Sequence, residues 1–200
     1  GCVYWHMVMK LMFRLQQCIF AAADAGSDRS LLAEMVQRYR RVRSGLGPSK
    51  TVADHGAFPL DPHSHTPGHT GAQQPGMTGA VKEGILLRWG ELGLRVEDGC
   101  LRFAPVLLDP AEFLAAARPW LPLGQGGRLE EGMLGFTYCG ASVVYRLDDS
   151  APWTRAVLTD GQEVAGVDGL DRGTSRALFA RTGAIARIDV AVHPAALHPS

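Results

Sequence analysis

The hydrophobic period changes once along this 200-residue chain, and that change limits what the chain can fold into. Up to about residue 91 apolar side chains recur at helical spacing, and from Leu94 they fall in short runs divided by turn dipeptides. Helices followed by strands, without alternation, predict an α+β chain rather than a parallel α/β one. The expected helices cover 4–25, 30–44 and 79–91. The expected division is a helical part, 1–91, and a β-rich part, 92–200.

Tyr4 to Ala25 is apolar around most of its circumference, as in a helix surrounded by other helices. His6, Lys10, Arg14 and Gln17 are spaced to form one stripe, which faces either a wet cavity or solvent. The same polar residues exclude a membrane span, which needs about 20 nearly charge-free residues. The layout of a signal peptide is missing too. The abrupt start predicts that something N-terminal to this sequence belongs to the same protein. Gly26-Ser27-Asp28 breaks the first helix. A second follows over Ser30 to Ser44, with Leu31, Leu32, Met35, Val36 and Tyr39 on its apolar side. The run Arg38, Arg40, Arg41, Arg43 is a basic helix end of the kind the backbone dipole favours. Because 20 basic residues balance 20 acidic ones, neither nucleic acid nor an anionic membrane is expected as a partner. Cys2, Cys18, Cys100 and Cys139 form no CxxC pair, which predicts reduced, mostly buried thiols and a cytoplasmic setting.

Residues 47–78 carry no period and are rich in Pro, Gly, His and Thr. Long ordered loops in compact domains are usually functional. Thr78 suits the N-cap of the helix that follows, and its hydroxyl, Gly79 and the free backbone N–H groups suit an anion. Capping alone is the plainer role for Thr78. His63, His65 and His69 offer a second constellation, since H-x-H with a further His can hold zinc. Pro62 and Pro67 make that loop irregular, with nothing visible to fix the rings, so the plainer expectation is no metal. Asp54, Asp61 and Glu83 are the carboxylates near the loop. Asp61 is the one to test for catalysis, though an Asx turn would explain it equally.

Leu94–Glu97 and Cys100–Phe103 flank Asp98-Gly99, a strong hairpin signal. Further strands are expected at Leu134–Tyr138, Ser142–Leu147, Thr154–Leu158 and Ile185–Val192, and a short helix at Ala111–Ala117. Several short strands with regular turns suggest a sandwich. No Ser-His-Asp spacing, phosphate-binding glycine loop or dinucleotide fingerprint is present.

Three motifs occur in order: Tyr4-Trp5-His6 leading into a long helix, His69-Thr70-Gly71 followed by Thr78-Gly79 opening a helix, and Leu92-Gly93-Leu94-Arg95 turning into a hairpin that ends at Pro105. In this the chain resembles the inverting glycoside phosphorylases of the cellobiose and chitobiose phosphorylase type, and related β-glucan-processing proteins. The resemblance implies the terminal helices of an (α/α)6 barrel followed by a C-terminal antiparallel β-sandwich. It also implies contacts to phosphate or sugar at His6, His69, Thr70, Thr78 and Gly79, no cofactor and no metal, and inorganic phosphate as a co-substrate. The partners it implies are an oligosaccharide or β-glucoside and an upstream barrel domain of the same protein, which carries the general acid. Ala72 to Met77 departs from the family, whose members tend to be aromatic there, and so leaves hydrolysis open beside phosphorolysis. Two other readings stand beside this one. The first is a non-catalytic carbohydrate-binding or structural module, for which exposed Trp120, Trp153 and Tyr138 would speak. The second is a metal-binding protein built on His63, His65 and His69.

Overall fold

A computed structural model describes residues 2–45, 65–67, 81–122 and 127–198, with the backbone alone at 2–6, 65–67 and 81. The chain is mixed α+β and divides into two compact units, Gly1–Gly90 with Ser200, and Glu91–Pro199. Among the described residues no helix is long and apolar enough to cross a membrane.

The first unit holds β1 (Cys2–Tyr4), α1 (Trp5–Asp24), α2 (Arg29–Ser44), β2 (His65–Pro67) and most of α3 (Val81–Glu91). On α1, Met9, Met12, Gln16 and Ile19 are buried, a spacing of three to four that marks one helical face. Val36 and Tyr39 are the buried pair of α2. Gln16 ties the three helices together. Its amide nitrogen donates to the Tyr39 hydroxyl and to the Leu87 carbonyl, both at 2.8 Å. A buried amide left without partners costs about 1–3 kcal/mol, so this polar residue is tolerated only because both bonds are made. Close approach completes the contact, since a side chain at Gly90 would collide with the Gln16 amide. Of the two roles left open for the polar stripe, the described residues take the solvent-facing one. Lys10, Arg14 and Gln17 are exposed, with Arg14 bonded to Gln17 at 2.7 Å. Met7 and Leu11 are also exposed, so the open face of α1 is partly apolar.

The second unit is built on a five-stranded sheet in the order β10-β9-β11-β8-β7. Its strands are β7 (Met133–Tyr138), β8 (Ala141–Leu147), β9 (Trp153–Leu158), β10 (Glu163–Gly166) and β11 (Ile185–Val192). Hairpins join β7 to β8 and β9 to β10, and β11 inserts between β8 and β9. The β11–β8 pair runs parallel, so the all-antiparallel order expected from sequence is broken at that pair. Period-two alternation sends Ala141, Val143 and Tyr145 of β8 and Ile188, Val190 and Val192 of β11 into the core. What covers this face is α4 (Arg172–Phe179), through Leu178, and the hairpin β3 (Leu94–Glu97) with β4 (Cys100–Phe103), through Leu101 and Phe103. The hairpin turns at Asp98-Gly99, both at positive φ, as the sequence predicts. A smaller hairpin, β5 (Arg118–Trp120) with β6 (Gly127–Leu129), precedes the sheet.

The short helix expected at Ala111–Ala117 is confined to one 3-10 turn, Pro110–Glu112. Beyond it the backbone of Leu114 exchanges bonds with Met133 and Gly132, both at 2.9 Å, and this strand-like pairing ends the helix. Cysteines also differ from expectation. Cys18 is exposed on the outer face of α1, and Cys100, at the start of β4, and Cys139, in the β7–β8 turn, are half-buried free thiols.

Asp171 caps α4 by accepting from the Thr174 amide at 3.0 Å and the Thr174 hydroxyl at 2.6 Å. Those bonds hold its carboxyl below the ordinary aspartate value. A depressed folded pKa gives stability that is present above the unfolded value and is lost as pH falls through the folded one. Asp171→Ala is therefore expected to lower stability by about 1 kcal/mol at neutral pH. The difference from wild type should shrink below about pH 4, which urea unfolding at both pH values measures.

Candidate functional site

In the helical unit the backbone just ahead of His6 pairs with a short part of the histidine-rich loop. Strand β2 pairs antiparallel with β1, with Tyr4 opposite His65, Val3 opposite Thr66 and Cys2 opposite Pro67. Tyr4 leads directly into α1, whose second residue is His6. The ladder therefore holds the backbone of His65–Pro67 beside the N-terminal end of α1, with His65 opposite a residue two positions from His6. A three-residue strand of His-Thr-Pro is an unusual strand sequence. Pro67 lies at its end, where a missing N–H interrupts little of the ladder. Helix N-termini present unpaired backbone N–H groups, so the ladder borders a position chemically suited to an oxyanion.

Asp54, Asp61, His63, His69, Thr70, Thr78 and Gly79 fall outside the described residues, and with them the proposed convergence of His6 and Thr78. Glu83 sits in the first turn of α3 and is half-buried. Among the described residues no group of three or more His, Cys, Asp or Glu side chains is arranged to hold a metal ion. Trp120, Trp153 and Tyr138 are each half-buried rather than displayed on an open sheet face. The Trp153 indole donates to Asp148 at 3.1 Å. Trp120 lies against Gly135, where a Cβ would meet its ring at 2.9 Å.

One polar constellation escaped the sequence reading. Asp189 is fully buried in β11, on the sheet face opposite the core. The register sets it across from Arg155 of β9 and Val144 of β8. Arg187 grips one carboxylate oxygen of Asp189 with Nε at 3.1 Å and Nη2 at 2.8 Å. Arg155 reaches the same oxygen at 3.4 Å. Arg146 of β8 stands 3.6 Å from the other oxygen, which accepts no hydrogen bond. The only sequence signal was a lone aspartate inside the apolar run Ile185 to Val192, and the arginines that answer it come from three strands. A charge with no bulk water around it needs such partners.

No family model matches the chain, and no curated protein matches it.

Proposed function

We propose that the chain is the C-terminal part of a carbohydrate-active enzyme acting on glycosidic bonds, of the glycoside phosphorylase or hydrolase-like kind. In this reading the helical unit is the closing part of an (α/α)6 barrel, and the β-rich unit is the C-terminal sandwich domain. The observation that carries the reading is the β1–β2 ladder. Cys2–Tyr4, just ahead of His6, and His65–Pro67 of the histidine-rich loop are separated by about sixty residues of sequence, yet their backbones pair in one ladder, and the resemblance assigns His6 and that loop to one ligand. The partly apolar open face of α1, with Met7 and Leu11 exposed, suits a helix meant to pack against further helices.

His6, His69, Thr70, Thr78 and Gly79 would contact phosphate or sugar, with the general acid supplied upstream of this chain. The experiment is to substitute His6→Ala and Thr78→Val in the full-length protein and to titrate phosphate and sugar separately. Each loss of a charge-assisted contact should weaken binding by about 1.5–3 kcal/mol, ten-fold or more. A fall in phosphate affinity with sugar affinity retained supports phosphorolysis. A fall in sugar affinity alone supports hydrolysis or plain binding. Unchanged affinity for both rejects the shared site. This chain alone should show no turnover of a β-glucoside, because the general acid stands elsewhere.

A further inference from the structure

The sheet face that carries Asp189 also forms a groove of about 570 Å³, lined by Trp120, Arg128, Glu130, Ser142, Arg146, Glu163 and Arg187 among others. That volume is in the range of small-molecule sites. We propose that this groove binds a small hydroxylated oxyanion, a phosphate- or carboxylate-bearing sugar being the type, through the guanidiniums of Arg146 and Arg187. The inference is independent of the histidine-loop reading and concerns a different unit of the chain.

The argument begins with charge. Arg146, Arg155 and Arg187 surround a single buried carboxylate, Asp189. Glu163 offsets part of the excess through a loose contact to Arg155 at 3.5 Å. Arg146 is the least committed cation. Among the described residues its one ion pair, at 3.6 Å, is too long for a hydrogen bond. The cluster is also under-bonded, since Asp189 Oδ1 and the Nε–H groups of Arg146 and Arg155 are buried without hydrogen-bond partners. Buried polar groups in folded proteins are nearly always satisfied, so three in one cluster mark a place where a further polar group belongs. Arg146 and Arg187 approach opposite oxygens of Asp189, and both line the groove. Their side chains keep 35% and 45% exposure, so donors not used by Asp189 can reach a bound group.

Two guanidiniums lining one groove suit the oxygens of phosphate or carboxylate better than a neutral ligand. The other walls fit the remainder of such a ligand. Ser142, Glu130 and Glu163 supply hydroxyl and carboxylate partners for sugar hydroxyls, and the half-buried Trp120 supplies an apolar wall. Glu130 and Glu163 also repel a highly charged polyanion, which favours a small ligand of low charge.

The test is to titrate the wild-type chain at constant ionic strength with inorganic phosphate, a hexose 6-phosphate, glucuronate and glucose. Binding is followed by the arginine Nε–H resonances in ¹⁵N NMR. The expected result is saturable shifts at Arg146 and Arg187 with the charged probes and not with glucose, with exposed Arg38 as the unresponsive internal control. Tighter binding of the hexose phosphate than of phosphate would assign a phosphate ester, and tighter binding of glucuronate a carboxylate. Arg146→Gln should weaken binding about ten-fold. Arg146→Lys should recover part of that loss, because charge returns without the fork. Absence of a saturable shift at Arg146 in the wild type overturns the proposal without recourse to any variant. Equal shifts at Arg38, or an equal response to glucose, overturn it as well.

Discussion

Gly93→Ala is expected to destabilise the β-rich unit by about 3 kcal/mol or more, where Gly99→Ala costs about 1 kcal/mol. The two glycines have nearly the same backbone, φ +76° at Gly93 and +75° at Gly99. Both would therefore strain an alanine alike through the left-handed conformation. They differ in what surrounds them. A Cβ at Gly99 would meet nothing within 4 Å, whereas one at Gly93 would overlap the backbone of Ala104 and Pro105. That backbone cannot swing aside, because the Ala104 amide donates to the Gly93 carbonyl at 2.8 Å. Comparing the two variants by urea unfolding isolates the overlap from the φ penalty. Equal losses would show that the turn yields and that close approach is not why glycine stands there. The result bears on the resemblance too, since Gly93 belongs to the Leu92-Gly93-Leu94-Arg95 motif and Pro105 ends the hairpin that follows it.

The elements that could be read from sequence are those whose partners are close along the chain or whose period is uninterrupted. Helices α1, α2 and α3 showed themselves through apolar spacing, and the β3–β4 hairpin through Asp98-Gly99. Strands β7, β8, β9 and β11 showed themselves as β-branched and aromatic runs between turn signals. Missed were α4 and β10, besides the three-residue strands β1, β2, β5 and β6. The first has only eight residues, too short for a period to stand out, and is fixed by the Asp171 cap and the buried Leu178. The second is an edge strand, Glu-Val-Ala-Gly, that exists because Val157 and its neighbours offer a free ladder. Residue spacing could not say which polar residue of α1 is buried. Gln16, which lies off the stripe of His6, Lys10, Arg14 and Gln17, is the one that Tyr39 and Leu87 hold inside. The same limit hid the groove. Arg146, Arg155 and Arg187 converge because β11 inserts between β8 and β9, and nothing local in the sequence announces that insertion.

The insertion also explains why one aromatic residue carries so much of the β-rich core. Tyr145 is fully buried on β8, beside β11, with its ring edge-on to Phe103 at 6.0 Å and to Phe136 at 5.2 Å. Its hydroxyl donates to the Leu92 carbonyl at 2.5 Å. It thereby joins the five-stranded sheet to the turn that precedes Gly93. Tyr145→Ala should cost about 3–5 kcal/mol, the range for emptying a large aromatic from a packed core. That is a large share of the 5–15 kcal/mol or so that holds a typical domain folded. Tyr145→Phe keeps the ring and removes only the hydroxyl, so it should cost about 1 kcal/mol, with the Leu92 carbonyl left without this donor. Denaturant unfolding of both variants separates the two contributions. A phenylalanine variant as unstable as the alanine one would mean that the hydrogen bond, rather than ring packing, secures the hairpin to the sheet. An alanine variant within about 1 kcal/mol of wild type would mean that the hairpin packs on the sheet through Leu101 and Phe103 without needing Tyr145.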